Sequence, residues 1–196
     1  MTPDVAPRRG RKGRRARDMG RIVGLVVFLG SLGMLFLSLL FAYAILRASV
    51  PVWPPAGEEP LPVAQPFVST LLILAASVSL HFAGRAKEMA KRMSWLGAAA
   101  ACATAFLVAQ GFLWWTVWSG GWVPSTGGYH SVFYGLTAIH AAHVVPGVVW
   151  LLVGLLRTWR ARSAGASKMP SLALVSIYSH FLAVVWVVMF VAVFLA

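Results

Sequence analysis

Five long apolar runs, at about 22–46, 66–84, 95–118, 131–157 and 171–195, decide the solvent in which this chain can fold. Each is near or above the roughly 20 residues that cross bilayer hydrocarbon at 1.5 Å per residue. Water is absent there, so a backbone segment must satisfy its own hydrogen bonds, and each run is predicted to be a helix. The connections are short, which makes successive helices antiparallel neighbours. The expected fold is an all-α membrane protein, a bundle of five transmembrane helices. Composition agrees: 59% hydrophobic and 11% charged residues leave too little charge to cover a soluble surface.

Charge sets the expected orientation. Of the 17 Lys and Arg residues, eight precede residue 22. Arg85, Lys87, Lys91 and Arg92 follow the second run, and Arg157, Arg160, Arg162 and Lys168 follow the fourth. The alternate connections carry only Glu58 and Glu59, or no formal charge, and Arg47 is the single basic residue at their end. The positive-inside rule then places the N-terminus in the cytoplasm and the C-terminus outside. Residues 1–21 are expected to form a flexible basic cytoplasmic arm, and 22–196 the five-helix domain. A basic run directly before a first span is a topology signal, so the net charge of +12 does not point to nucleic acid. A cleaved signal peptide is disfavoured, because the apolar run after Arg21 is about 25 residues, too long for the usual signal core.

Several function classes fall away. The acidic residues Asp4, Asp18, Glu58, Glu59 and Glu88 all lie outside the apolar runs, whereas proton pumps and cation-coupled transporters usually bury carboxylates. Cys102 is the only cysteine, so disulfides, zinc centres and iron–sulfur clusters lack ligands. No phosphate loop, nucleophile–base pair or internal repeat is evident.

Polar groups inside the runs carry the remaining information. His140 and His143, three apart, share one helix face near mid-membrane, and His180 is expected at similar depth on the last helix. One reading is a bis-histidine haem between facing helices. The other is a set of polar ties, in which the histidines bond to each other, to Tyr134, Tyr178 or Ser179, or to backbone. Trp53, Trp114, Trp115, Trp118 and Trp122 are expected as an interfacial belt at the outer surface, or as a partner contact. Arg47 is a candidate for a lipid phosphate or a partner, with snorkelling as the plain alternative. Gly24, Gly30 and Gly33, and the alanine-rich stretch 98–105, permit close helix approach.

Six stretches in order resemble subunit III of haem–copper oxidases, the cytochrome c oxidase subunit III family, in its short five-helix bacterial form. They are FLGSLGMLFLSLLFAYAILR in the first helix, VWPPAGEEPLP, STLLILAASVSLHFA, Gln110 after the small-residue third helix, FYGLTAIHAAHVVPGVVWLL, and YSHFLAVVW. The likeness runs from about residue 28 to the C-terminus. It implies a non-catalytic accessory subunit of a respiratory oxidase in the bacterial cytoplasmic membrane, beside subunits I and II, supporting assembly and binding phospholipid between its helices. Haems and copper would belong to those partners, with no cofactor, metal or active site in this chain. His140, His143, His180, Tyr178, Tyr134, Arg47, Trp53, Gln110 and Trp114 then become candidates for structural, lipid or interface roles. The chain departs from the family pattern at four places: Leu32 and Leu113 stand where Glu is common, Ala183 where Asp is usual, and Ser179 where Trp is usual. These departures also suit a branch that accompanies nitric oxide reductases, the second reading, and a b-type cytochrome membrane anchor is the third.

Overall fold

A computed structural model describes residues 9–52, 63–121, 123, 127–165 and 171–195. Five helices follow one another: α1 (Arg9–Ala48), α2 (Ala64–Arg85), α3 (Met89–Ser119), α4 (Gly128–Ser163) and α5 (Ala173–Phe190), the last closing in a π-helical turn, Val191–Leu195. All five are long and apolar enough to cross a membrane, and no strand occurs among the described residues. Helices α2, α3, α4 and α5 pack as a closed ring, each against the next and α5 back on α2. Helix α1 lies outside that ring against α5 and α4. It is the least enclosed span, with 17% of its apolar window buried against 39–44% for the others.

The helices outrun the apolar segments. α1 begins at Arg9, so most of the basic stretch expected as a flexible arm continues the first helix. Extending an existing helix costs no new nucleus, and Arg, Lys and Ala are good helix formers. α4 likewise runs on through Arg157, Arg160 and Arg162 to Ser163. The basic residues near Arg21, at the α2–α3 turn and at the end of α4 share one end of the bundle, called here the basic end.

Helical periodicity selects the core. On α3 the buried positions are Arg92, Leu96, Ala99, Ala100, Ala103, Phe106, Gln110, Leu113 and Val117, mostly three or four apart, which forms one face. Its alanines present no bulk, so α2 and α3 make the most extensive helix pair. Gly24 and Gly30 behave otherwise: no other element among the described residues comes within 4 Å of a Cβ built at either. Only Gly33 of that trio meets a neighbour, the Phe181 ring at 3.8 Å.

Pro146 sits inside α4 and cannot supply the amide that the carbonyl four residues earlier would receive. Gly147 follows it and lies against Tyr178, so close that a Cβ there would stand 3.2 Å from the ring edge. The Tyr178 hydroxyl donates to the His143 carbonyl at 2.7 Å, bringing a side-chain donor from α5 to the weakened turn of α4. A proline–glycine pair in an apolar span is a visible sequence signal, and its partner on another helix is not.

Candidate functional site

The polar side chains inside the bundle sort into three groups. Nearest the basic end, His180 on α5 joins Ser77 on α2 through Nδ1 and Oγ, 2.5 Å apart. Its ring lies tilted against His81 at a centroid distance of 6.1 Å, and Arg85 donates to the His81 ring. His180 is therefore not at the depth of His140, as the sequence suggested. The His140 ring instead meets Trp186, at 5.2 Å, six positions further along α5. Six helical residues separate the two levels by about 9 Å. The expectation counted about nine residues inward from opposite ends of two antiparallel spans, each of roughly 25 residues, which leaves the two histidines on opposite sides of the midplane.

The second group surrounds the two histidines of α4. His143 Nδ1 donates to its own helix at Ile139 O, 2.7 Å, and the Phe36 ring of α1 lies 5.9 Å from both imidazoles. His140 is fully buried, enclosed by Phe36, Phe106 at 5.8 Å and Trp186. Aromatic rings from α1, α3 and α5 thus surround the His140 imidazole. Among the described residues no three His, Cys, Asp or Glu side chains gather as a metal site.

The third group lies beyond His140, away from the basic end. Trp114 Nε1 donates to Thr137 Oγ1 at 3.0 Å, and Thr137 donates to Phe133 O at 2.7 Å. The same construction recurs between α5 and α2, where Trp186 Nε1 donates to Thr70 Oγ1 at 3.0 Å and Thr70 donates to Pro66 O at 2.8 Å. Each threonine feeds its own helix and accepts a tryptophan from the next, so four helices are joined in two pairs. An interhelical hydrogen bond of this kind contributes about 0.6 kcal/mol in a membrane.

These bonds revise several candidate roles. Trp114 was expected in an interfacial belt, yet its indole N–H is used inside the bundle, while Trp115 and Trp118 point outward at 67% and 56% exposure. Tyr134 bonds to the Trp114 carbonyl at 3.4 Å. His180 takes Ser77 and not Ser179. Gln110 is buried in the core face of α3. Arg47 lines an apolar groove of about 540 Å³ with Leu40, Tyr43, Val188 and Ala192. Trp53 and Trp122 fall outside the described residues. Sequence reasoning missed Ser77, Thr70, Thr137 and Trp186, since Ser and Thr in a span ordinarily bond back to their own helix.

The family model for cytochrome c oxidase subunit III matches residues 9–196. The chain belongs to the cytochrome c oxidase subunit III family. Among similar proteins, the cytochrome c oxidase subunit 3 of Synechocystis sp. (strain ATCC 27184 / PCC 6803 / Kazusa) is 33% identical over 89% of this chain and 75% of its own. That of Thermostichus vulcanus is 32% identical over 89% and 87%, and that of Bacillus sp. (strain PS3) 27% over 100% and 95%. Neither the nitric oxide reductase branch nor a cytochrome anchor is favoured by these relatives.

Three of the four positions at which the sequence departs from the expected pattern share one structural setting. Leu32, Leu113 and Ala183 are 4%, 0% and 2% exposed, so all three face the core. A carboxylate at any of them would need a buried partner. Here apolar packing takes that place: Leu32, Leu113 and Ala183 all belong to the hydrophobic core.

Proposed function

We propose that this chain is the accessory third subunit of a bacterial haem–copper terminal oxidase in aerobic respiration, and that it holds no active site of its own. Family membership over residues 9–196 carries the reading. The interior supports it: the buried histidines serve helix packing and no carboxylate lies in the described helical core. Catalysis, haems and copper would belong to subunits I and II, with cytochrome c or quinol as donor according to subunit II. Purification of the tagged chain in mild detergent from native membranes tests this. Subunits I and II at near-equal amounts are expected, and a chain that purifies alone would sink the proposal. In that complex, His140→Leu is expected to lower the yield of intact oxidase and leave its haem absorbance per complex unchanged. Loss of a haem band would return the haem reading.

The proposed setting is the cytoplasmic membrane, with the basic segment 1–21 and the basic end of the bundle inside, since 16 of the 17 Lys and Arg residues lie on that side. A C-terminal tag should then be cut only by protease added from the outside, and cutting only from the cytoplasmic side would invert the topology.

Phospholipid is the proposed ligand of the groove at the basic end, about 460 Å³ between α1, α4 and α5, where Arg21 and Arg157 stand beside Ile22, Trp150 and Leu174. Two guanidinium groups match a phosphate, and the apolar wall matches an acyl chain. Arg47 and its groove make the corresponding outer-leaflet candidate. Arg157→Gln is expected to reduce the anionic phospholipid retained per complex by at least about half, given roughly 1 kcal/mol per basic residue. Unchanged lipid content would remove Arg157 from the site.

A further inference from the structure

Three helices of the ring each bring a fully buried polar side chain to one level of the bundle. Ser69 on α2, Gln110 on α3 and His140 on α4 are 0%, 1% and 0% exposed. The Ser69 hydroxyl, both amide atoms of Gln110 and both ring nitrogens of His140 find no hydrogen-bond partner among the described residues. Their common level follows from Trp186. Its indole bonds to Thr70, the neighbour of Ser69, and its ring meets His140 at 5.2 Å and Phe106 at 4.8 Å. Gln110 lies one turn from Phe106 and one turn from Trp114, which bonds to Thr137, three positions before His140. All three residues therefore fall within about one helical turn, or 5.4 Å, of the same depth.

Five unpaired polar atoms at one level of a hydrocarbon-embedded core would be costly, at about 1–3 kcal/mol for each group left unsatisfied. Nothing outside can relieve them, because the surrounding medium is lipid. Ser31, Ser38 and Thr70 donate to the carbonyl four residues earlier, and Ser69 does not. Hydroxyl, amide and neutral imidazole together offer donors and acceptors and no formal charge. A cation would lack a carboxylate, and an anion would lack a positive partner. Water both donates and accepts, and it carries no charge.

We propose that Ser69, Gln110 and His140 form an internal hydration site, in which ordered water hydrogen-bonds across α2, α3 and α4. Such water supplies cohesion that the hydrophobic effect does not provide between helices in lipid. It also holds the ring orientation of His140.

A structure of the intact complex at a resolution that shows ordered water tests the proposal on the unaltered protein. The expected result is a density peak about 2.7–3.2 Å from polar atoms of at least two of the three residues. Gln110 turned directly onto His140 or Ser69, with no peak between them, would overturn it. So would a peak about 2.0–2.2 Å from a His140 nitrogen, which is a metal distance. A cycle of Gln110→Leu, His140→Phe and the double variant adds an energetic check. Each single change should reduce the detergent-stable complex roughly fivefold or more, by stranding the other polar group. The double variant should lose no more than either single one, and losses that multiply would overturn the shared site.

Discussion

Trp186→Ala should destabilise the subunit by about 3 kcal/mol, roughly a hundredfold in the ratio of folded to unfolded chain. Trp186 is fully buried where the Phe106 and His140 rings meet it, and its N–H bonds to Thr70. Lipid tails are as apolar as the core, so transfer from water contributes little to this figure. The loss comes from the cavity, whose lining atoms forfeit dispersion contacts that lipid cannot restore inside the ring. An unfolding titration of the purified subunit in mixed micelles measures it. Trp186→Phe is the control: it keeps most of the ring and removes the Thr70 bond, so its cost should be well below that of Trp186→Ala. Equal losses from the two variants would show that the hydrogen bond, and not packing, dominates.

Gly147→Val should be comparably damaging through the opposite fault. A Cβ at residue 147 stands 3.2 Å from Tyr178 Cε1 and 3.7 Å from Leu182 Cδ1, so the added methyls of valine enter occupied space. Overpacking of this kind costs about 1–3 kcal/mol. The ring of Tyr178 must also move, which pulls its hydroxyl from the His143 carbonyl and leaves the buried phenol without that partner, at a further cost of about 1 kcal/mol. Tyr178→Phe alone removes only the bond and should cost about 0.6 kcal/mol. Placed on the Gly147→Val background, it should add almost nothing, because the bond is already gone. Full additivity in the same titration would mean that Tyr178 keeps its bond and the steric account is wrong.

Much of the architecture is legible in the chain itself. The five spans, their order and the clustering of basic residues at one end follow from run length and charge. The family likewise follows from motifs in sequence order. Helix ends are less legible, because arginine-rich turns such as Arg9–Arg21 and Arg157–Arg162 extend helices beyond the hydrophobic signal. The histidines show where reading by depth breaks down. His140 and His180 look level when counted from span ends, yet His140 packs on Trp186 while His180 turns to Ser77 and His81.

The sequence by itself determined that this chain is a five-span helical membrane protein of the subunit III family, since those properties reside in segment length, charge distribution and linear motifs. Only the tertiary structure decided what each polar residue is for. It directed Trp114 inward to Thr137, joined Tyr178 to the proline-weakened turn of α4, and brought Ser69, Gln110 and His140 to one buried level. Periodicity specifies the face on which a side chain lies. Its partner depends on the rotation and relative height of another helix, and in lipid those are set by packing and hydrogen bonding across the whole bundle.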